Sequence, residues 1–405
     1  MGLLPRRNLY PVFFLFLFFA EPIRQTGPSA IFWTAPAILL SSLMVAWAAE
    51  SAQFFMAQAF ALAILAWMQT LPEFAVEAVF AWRQQSSLLL ASLTGALRLL
   101  TGFGWPVIYF TAAFFHRRRS GTPLRAIHLD EHHSVEVVGL LVPLLYIAVV
   151  AAKGTLALVD SAILVGIYAA YLIILSKLPP EDSESIQELE IVPRTIVQAP
   201  RFLRITVIFV LFGAGAVVIK YATEPFVGSL LAISAALGMS NFRFVQLVTP
   251  LVSEFPEMAS TIYFARTVDQ APMALMNMAS SNINQWTLVV GMLPIVYSIS
   301  LGNVATITLT SQQRIEVLMT LGQALVGIMF LINMELAWWE ASALFVLFFI
   351  PYLYTAAAPA VTVLYFVWAA FEVLRMLSGR RQPTALLLFA KTWNTYVRQP
   401  KRRIS

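Results

Sequence analysis

Apolar segments separated by short polar stretches run along the whole chain. A helix needs about 20 apolar residues to cross a hydrocarbon core of about 30 Å. The pattern predicts eleven or twelve spans, at roughly residues 8–21, 31–49, 52–82, 87–115, 135–151, 155–176, 202–220, 226–265, 271–300, 313–333, 337–355 and 358–376. Residues 8–21 are either a short first span or a cleaved signal peptide. We favour the span because no small-residue cleavage site follows.

The composition agrees with this pattern. Hydrophobic residues make up 59% of the 405 positions, charged residues make up 12%, and the mean hydropathy is +0.77. Soluble domains carry about 25% charged residues, so the chain lacks about half of the charge that a soluble surface needs. The sequence therefore predicts an all-α polytopic membrane protein. Because cysteine is absent, disulfides and thiolate metal sites are excluded.

One polar, acidic stretch divides the chain. Residues 177–201 are predicted to form a cytoplasmic linker between a membrane half at 1–176 and a second half at 202–376. The tail, 377–405, and the loop at 116–134 are rich in basic residues, which mark cytoplasmic ends in membrane proteins. We therefore expect both termini in the cytoplasm and the protein in a plasma or inner membrane. In this context the basic clusters do not indicate nucleic-acid binding.

Three segments are too long for one simple span, and each contains proline. Proline removes a helical hydrogen bond and clashes with the preceding turn. In lipid the freed carbonyls must be satisfied by protein, water or an ion. A broken helix is therefore a candidate cation site. The prolines are Pro72 in 52–82, Pro250 and Pro256 in 226–265, and Pro294 in 271–300.

The breaks belong to an internal repeat. Residues 72–81 and 256–265 are identical at five of ten positions, at an offset of 184. On the predicted span count five helices separate the copies, so the second copy, within about 250–300, is inverted relative to the first, within about 66–115. Inverted repeats with paired broken helices are typical of alternating-access transporters.

Each copy places two glutamates on one helical face. Glu73 and Glu77 are four residues apart, and Glu254 and Glu257 are three apart. A charged residue at the centre of a membrane costs about 2.5–3.5 kcal/mol on insertion scales. We therefore expect these side chains to face a cavity, bind cations or hold protons. Glu77 and Glu254 have the alternative of lying near the membrane surface.

The second copy also offers neutral oxygens. Asn277, Ser280 and Asn284 fall on one helical face, and Ser281, Asn282 and Gln285 are beside them. Hard cations such as Na⁺ and Ca²⁺ prefer carboxylate, carbonyl and amide oxygens. The alternative is interhelical hydrogen bonding, which serine and asparagine commonly provide in membranes.

The two Pro-Glu segments, each followed by a second helix, resemble the α-repeats of the calcium/cation antiporter superfamily, the sodium/calcium exchanger membrane region. In that family a helix containing Gly-Ser-Asn begins about 22 residues after the glutamate. Residues 279–284, Ala-Ser-Ser-Asn-Ile-Asn, lie at that distance from Glu257, and residues 94–98, Thr-Gly-Ala-Leu-Arg, lie at that distance from Glu73. The resemblance covers most of residues 31–355.

The resemblance implies exchange of Ca²⁺ for Na⁺ by alternating access at a midplane site. Glu73 and Glu257 would be the central ligands. Hydroxyl, amide and further carboxyl oxygens would complete the shell, from Thr70, Ser253, Glu254, Ser280 and Asn284. We expect inorganic cations and the lipid bilayer as partners and no cofactor, and the oligomeric state stays open.

The first repeat departs from the family pattern. Ala96 and Leu100 occupy positions where the family has oxygen ligands, and Arg98 lies between them. A buried cation is costly unless it is paired, so we expect Glu73 or Glu77 as its partner. Arg98 would then stand in for one transported ion. Alternatively, it extends to the membrane interface.

Other functions are weighed against exchange. With sparse oxygens in the first repeat, protons could replace sodium as the coupling ion. An enzyme is disfavoured because HExxH, GxxxxGK[ST] and GxSxG motifs are absent. A membrane scaffold would not need matched acidic breaks. The histidines, all within 116–133, could bind a metal, but a solvated charge cluster is favoured there.

Overall fold

The computed structural model describes residues 27–55, 70–178, 189 and 191–398. The predicted span at 8–21 lies outside these residues. Within the described part, eight helices are long and apolar enough to cross a membrane, and a shorter apolar helix, Trp338–Leu353, accompanies them. The predicted class, an all-α polytopic membrane protein, is confirmed.

The N-terminal half contains six helices and two short strands among the described residues. They are α1 (Ile31–Ala52), α2 (Leu71–Trp82), α3 (Ser86–Leu99), α4 (Trp105–Ser120), β1 (Ala126–His128), α5 (Ser134–Lys153), β2 (Thr155–Leu156) and α6 (Leu158–Leu175). One turn of π-helix, Leu100–Gly104, joins α3 to α4. A π-turn contains one extra residue and is frequent at functional sites.

The remaining described residues form ten helices and two strands. They are α7 (Ile191–Gln198), α8 (Arg201–Ala236), α9 (Asn241–Ser253), α10 (Phe255–Ala265), α11 (Ala271–Asn284), α12 (Val290–Leu301), β3 (Ile307–Thr308), α13 (Ser311–Leu331), β4 (Glu335–Ala337), α14 (Trp338–Leu353), α15 (Ala358–Leu377) and α16 (Thr384–Thr392). A π-turn, Gln285–Val289, joins α11 to α12.

The element order repeats in the two halves. From the start of α2 to the start of α10 the offset along the chain is 184, as it is between the two Pro-Glu segments. From α3 to α11, and from one π-turn to the other, the offset is 185. The second copy therefore has one extra residue between the broken helix and the helix that follows it. This single insertion changes which side chains of α11 meet the glutamates.

Two strand pairs join the halves. β1 pairs with β4, and β2 pairs with β3, each antiparallel. Because α5 crosses the membrane between β1 and β2, the two pairs lie on opposite sides of it. Helix contacts also connect the halves: α1 packs on α8, α3 on α9, α2 on α12, α4 on α10, and α5 on α13. The repeats are thus interlocked.

Several predicted boundaries differ from the structure. The spans predicted at 202–220 and 226–265 do not separate near residue 225, because α8 continues through Pro225 to Ala236. The breaks occur later, at residues 237–240 between α8 and α9 and at Glu254 between α9 and α10. Pro294 lies inside α12, and the irregular turn in that segment precedes it. The predicted polar linker and basic tail contain the short helices α7 and α16.

Candidate cation site

Two helix starts position the central glutamates. Helix α9 ends at Ser253 and α10 begins at Phe255, with a proline in its first turn. Helix α2 begins at Leu71, also with a proline in its first turn. Glu73 and Glu257 therefore both lie in a first helical turn. Carboxylates are favoured there because the helix dipole and the free backbone N–H groups provide partial positive charge.

The four glutamates converge in one buried cluster. The Glu73 carboxyl group interacts with those of Glu77, Glu254 and Glu257, and Glu254 also interacts with Glu257. Glu73 and Glu254 are each 3% exposed, Glu77 is fully buried, and Glu257 is partly buried. Glu77 and Glu254 are therefore buried inside the protein, and neither lies on its outer surface. The tertiary fold brings together acids that the sequence places in opposite halves of the chain.

Neutral side chains of α11 and its π-turn line the cluster. Ser281 donates a hydrogen bond to Glu257 Oε2 at 2.8 Å, and Gln285 donates to Glu254 Oε1 at 2.9 Å. Asn284 donates to the hydroxyl of Thr70 at 3.0 Å, which joins the second repeat to the start of α2. Hydroxyl, amide and carboxyl oxygens, which a hard cation prefers, thus lie next to one another at Glu254 and Glu257.

Several buried oxygens of this cluster have no hydrogen-bond donor among the described residues. They are both carboxyl oxygens of Glu73, Oε1 of Glu257 and Oε1 of Gln285. A buried acceptor without a partner costs about 1–3 kcal/mol, and more when it is charged. A bound cation would satisfy carboxylate and amide oxygens together, and protons would neutralise the carboxylates. The chemistry of the donors therefore fits cation binding.

The register of α11 differs from the predicted one by one residue. Ser280, the predicted ligand, meets the hydroxyl of Tyr171 at 3.1 Å, and Ser281 is the residue that contacts Glu257. The extra residue before α11 turns the helix by about 100°, which exchanges the two serines. In the structure Ser281, and not Ser280, is therefore the serine beside the glutamates.

The other predicted ligands fall into two groups. Thr70 and Asn284, both predicted ligands, are buried and hydrogen-bond to each other. Ser253 is buried, and its hydroxyl donates to the carbonyl of Thr249 within α9 at 3.2 Å. Gln285 was not among the predicted ligands. Its position four residues after Ser281 was the available signal, because residues i and i+4 share a helical face.

The two repeats contribute unequally. With the offset of 185, Ser281 and Gln285 correspond to Ala96 and Leu100, which are buried apolar residues. The first repeat therefore supplies two glutamates and the hydroxyls of Thr70 and of Ser92, which bonds Glu77, but no hydroxyl or amide group at the places of Ser281 and Gln285. The site is asymmetric although the fold around it is nearly symmetric.

Arg98 is not paired with the glutamate cluster. Its Nη1 lies 3.5 Å from Oε2 of Glu316, and its guanidinium stacks over the ring of Tyr352. Gln246 donates to the same carboxylate at 2.9 Å. The expected pairing with Glu73 or Glu77 is wrong, and so is extension to the interface, because the Arg98 side chain is 2% exposed.

A sequence profile of one family matches both halves. The profile, described as sodium/calcium exchanger protein, matches residues 29–177 and 207–358, which is well over half of the chain. The chain belongs to this exchanger family. The recognised resemblance to calcium/cation antiporters is confirmed. Among curated proteins, no sequence matches this exchanger significantly.

Solved structures share the exchanger's fold. The H⁺/Ca²⁺ exchanger CAX is 28% identical, with a TM-score of 0.83, over 95% of this chain and 94% of that one. Native YfkE is 14% identical, with a TM-score of 0.57, over 88% and 97%. The sodium-calcium exchanger NCX_Mj, soaked with 100 mM Na⁺ and 10 mM Sr²⁺, is 18% identical, with a TM-score of 0.51, over 81% and 98%.

Proposed function

We propose that this protein exchanges Ca²⁺ for protons across a membrane by alternating access. The observation that carries the proposal is the buried cluster of Glu73, Glu77, Glu254 and Glu257, whose contacts among the described residues include no arginine or lysine. The sequence alone favoured sodium as the coupling ion. The proposal replaces sodium with the proton, for two reasons.

The first reason is charge balance. Four ionised carboxylates would carry four negative charges in a region where each uncompensated charge costs several kcal/mol. Neutral hydrogen-bond donors reduce this cost only in part. A cluster without Ca²⁺ is therefore expected to hold protons, and each Ca²⁺ that enters would displace about two of them because it brings two positive charges.

The second reason is the shortage of neutral ligands in the first repeat. A set of bound Na⁺ ions needs several oxygens for each ion, whereas a proton needs only one carboxyl oxygen. Ala96 and Leu100 stand where the second repeat has Ser281 and Gln285. The structural similarity supports the same choice, because the match to an H⁺/Ca²⁺ exchanger has a TM-score of 0.83 and that to a sodium-calcium exchanger has 0.51.

The broken helices supply the gating geometry in this proposal. Their first turns hold Glu73 and Glu257 at equivalent places in inverted repeats, so a motion that opens one side closes the other. The ion gradient drives transport, without a cofactor or an enzymatic reaction. We place both termini in the cytoplasm, in a plasma or inner membrane, from the distribution of basic residues.

The test is ⁴⁵Ca²⁺ uptake into proteoliposomes that contain the purified protein. One set of vesicles has an outward proton gradient. The other has an outward Na⁺ gradient with the same pH inside and outside. We expect uptake with the proton gradient alone, and Glu257→Gln is expected to lower it at least about 100-fold, since the central carboxylate is lost. Asp269→Asn, at an exposed position in the turn between α10 and α11, is the matched control and should keep its activity.

Each result of this test has a definite meaning. Uptake driven by Na⁺ alone would overturn proton coupling and return sodium to that role. Full activity of Glu257→Gln would overturn the site itself. Absence of Ca²⁺ uptake under both gradients would overturn calcium as the transported ion.

A further inference from the structure

A second group of metal-ligating side chains lies outside the glutamate cluster. Asp130, His132 and His133 each direct one ligand atom to a common place, and these atoms all lie within 4.8 Å of one another. Asp130 precedes a single 3₁₀ turn, Glu131–His133, which runs directly into α5. Because the turn positions all three residues at once, the cluster comes from one short stretch of the chain.

The surroundings hold this stretch in place. The amide of His133 donates to the carbonyl of Asp130 at 3.1 Å, and the amide of Leu129 donates to the carbonyl of Met334 beside β4. Lys391 of α16 pairs with the neighbouring Glu131 at 2.7 Å. His133 is 4% exposed, His132 is partly buried, and Asp130 is exposed. The cluster thus has a rigid inner side and an open outer side.

A fourth residue supports the histidine closest to the core. A carboxylate oxygen of Glu136 lies 3.9 Å from Nδ1 of His133. Carboxylates commonly accept a hydrogen bond from the second ring nitrogen of a metal-bound histidine and so orient the ring. If instead the ion bound Nδ1, Glu136 would be near enough to complete the coordination. Either arrangement uses Glu136.

The donor set indicates the class of ion. Two imidazoles and one carboxylate suit divalent transition-metal ions such as Zn²⁺. Ca²⁺ takes six to eight oxygens, so this cluster would bind it poorly. We propose that Asp130, His132 and His133 form a transition-metal site, supported by Glu136, at the start of α5. From sequence alone this loop was interpreted as a solvated charge cluster, and the convergence of the ligand atoms is what changes the interpretation.

The site is separate from the transport cluster in sequence and in chemistry. Its ligands belong to the connection between β1 and α5, whereas the four glutamates belong to α2, α10 and the residue before α10. Metal binding here therefore does not depend on the proposed transport function. The basic loop that precedes it indicates that it faces the cytoplasm.

The experiment measures Zn²⁺ binding to the purified full-length protein without a histidine tag. Chelator-treated protein in excess Ca²⁺, which occupies the transport site, is titrated calorimetrically with Zn²⁺. We expect one equivalent to bind, and we expect Asp130→Asn and His132→Gln each to weaken binding at least about tenfold. Both variants change residues that are not fully buried, so folding should persist, and size-exclusion chromatography verifies it.

Two control variants separate this site from others. His128→Gln changes a 77% exposed side chain in the same loop and should leave Zn²⁺ binding unchanged. Glu257→Gln removes a transport carboxylate and should also leave it unchanged. Zinc-edge X-ray absorption should detect imidazole nitrogens at about 2.0–2.1 Å. Absence of Zn²⁺ binding to the unaltered protein, or equal binding by Asp130→Asn and His132→Gln, would overturn the proposal.

Discussion

At the scale of single residues, the buried charges divide into two separate systems. The four glutamates share one space with neutral donors, whereas Arg98 forms an ion pair with Glu316 and stacks on Tyr352. This division determines what Arg98 can do. Because its charge is compensated by Glu316, it is not available to replace a transported ion. We therefore expect Arg98 to contribute to the stability of the folded protein through its buried ion pair with Glu316.

The Arg98→Gln substitution tests this role. Removal of one partner leaves Glu316 buried without compensation, which costs about 3 kcal/mol for pairs of this kind. The Glu316 side chain is 13% exposed, so we place the value at the lower end of the usual range. The unfolding temperature of the detergent-solubilised protein should fall, while the number of protons exchanged for each Ca²⁺ should stay the same.

The double variant Arg98→Gln/Glu316→Gln provides the control for the pair. Without either charge, most of the lost stability should return. If Arg98→Gln instead changed the coupling ratio with little effect on stability, the guanidinium would act on transported ions after all, and the pairing with Glu316 would not describe its function.

At the scale of helices, one extra residue before α11 decides the composition of the site. Because of this residue, Ser281 instead of Ser280 contacts Glu257, and Gln285 contacts Glu254. The corresponding positions in the first repeat are Ala96 and Leu100. The two repeats therefore have the same order of helices but different side chains beside the glutamates.

Alanine variants of the neighbouring Ser280 and Ser281 test which of the two serines acts at the glutamates. Ser281→Ala removes a hydrogen bond to a carboxylate, and such bonds contribute about 1.5–3 kcal/mol. The half-saturating Ca²⁺ concentration for uptake should therefore rise at least about tenfold. Ser280→Ala, whose hydroxyl meets Tyr171, should change it by less than about twofold. The reverse order of effects in ⁴⁵Ca²⁺ uptake would return Ser280 to the site.

The sequence could predict the features that depend on local chemistry. Prolines followed by glutamates indicated broken helices, and the structure shows such a break between α9 and α10. Their repetition indicated the two halves whose element order repeats. It could not predict the partner of Arg98, because Glu316 is distant in sequence and only the packing of α3 against α13 brings the two together. It also missed the register of α11, since no local signal marks an extra residue in a loop.

At the scale of the whole molecule, the fold joins two inverted halves around one ion site. Antiparallel strand pairs connect the halves on both sides of the membrane, and each broken helix packs against the opposite half. In the proposed alternating access, such a molecule exposes the same four glutamates to each side in turn. The ion that binds on one side must then compete for the same carboxylates with the ion that arrives from the other.

This competition gives the expected dependence on pH. In the proposed exchange, protons and Ca²⁺ bind the same carboxylates, so lowering the pH would fill the site with protons and raise the half-saturating Ca²⁺ concentration. If about two protons leave for each Ca²⁺, that concentration rises by up to about 100-fold for each pH unit in the range where the empty site is protonated. At higher pH it should level off, because no protons remain to be displaced.

Initial rates of ⁴⁵Ca²⁺ uptake measure this dependence across a series of external pH values at constant Na⁺, and a second series varies Na⁺ at constant pH. Asp269→Asn should follow the same curve as the unaltered protein, because its carboxyl group is exposed and lies outside the cluster. A half-saturating Ca²⁺ concentration that is independent of pH but rises with Na⁺ would show that sodium is the competing ion. In that case the buried carboxylates would be balanced by metal cations throughout the transport cycle, and the proton would have no part in it.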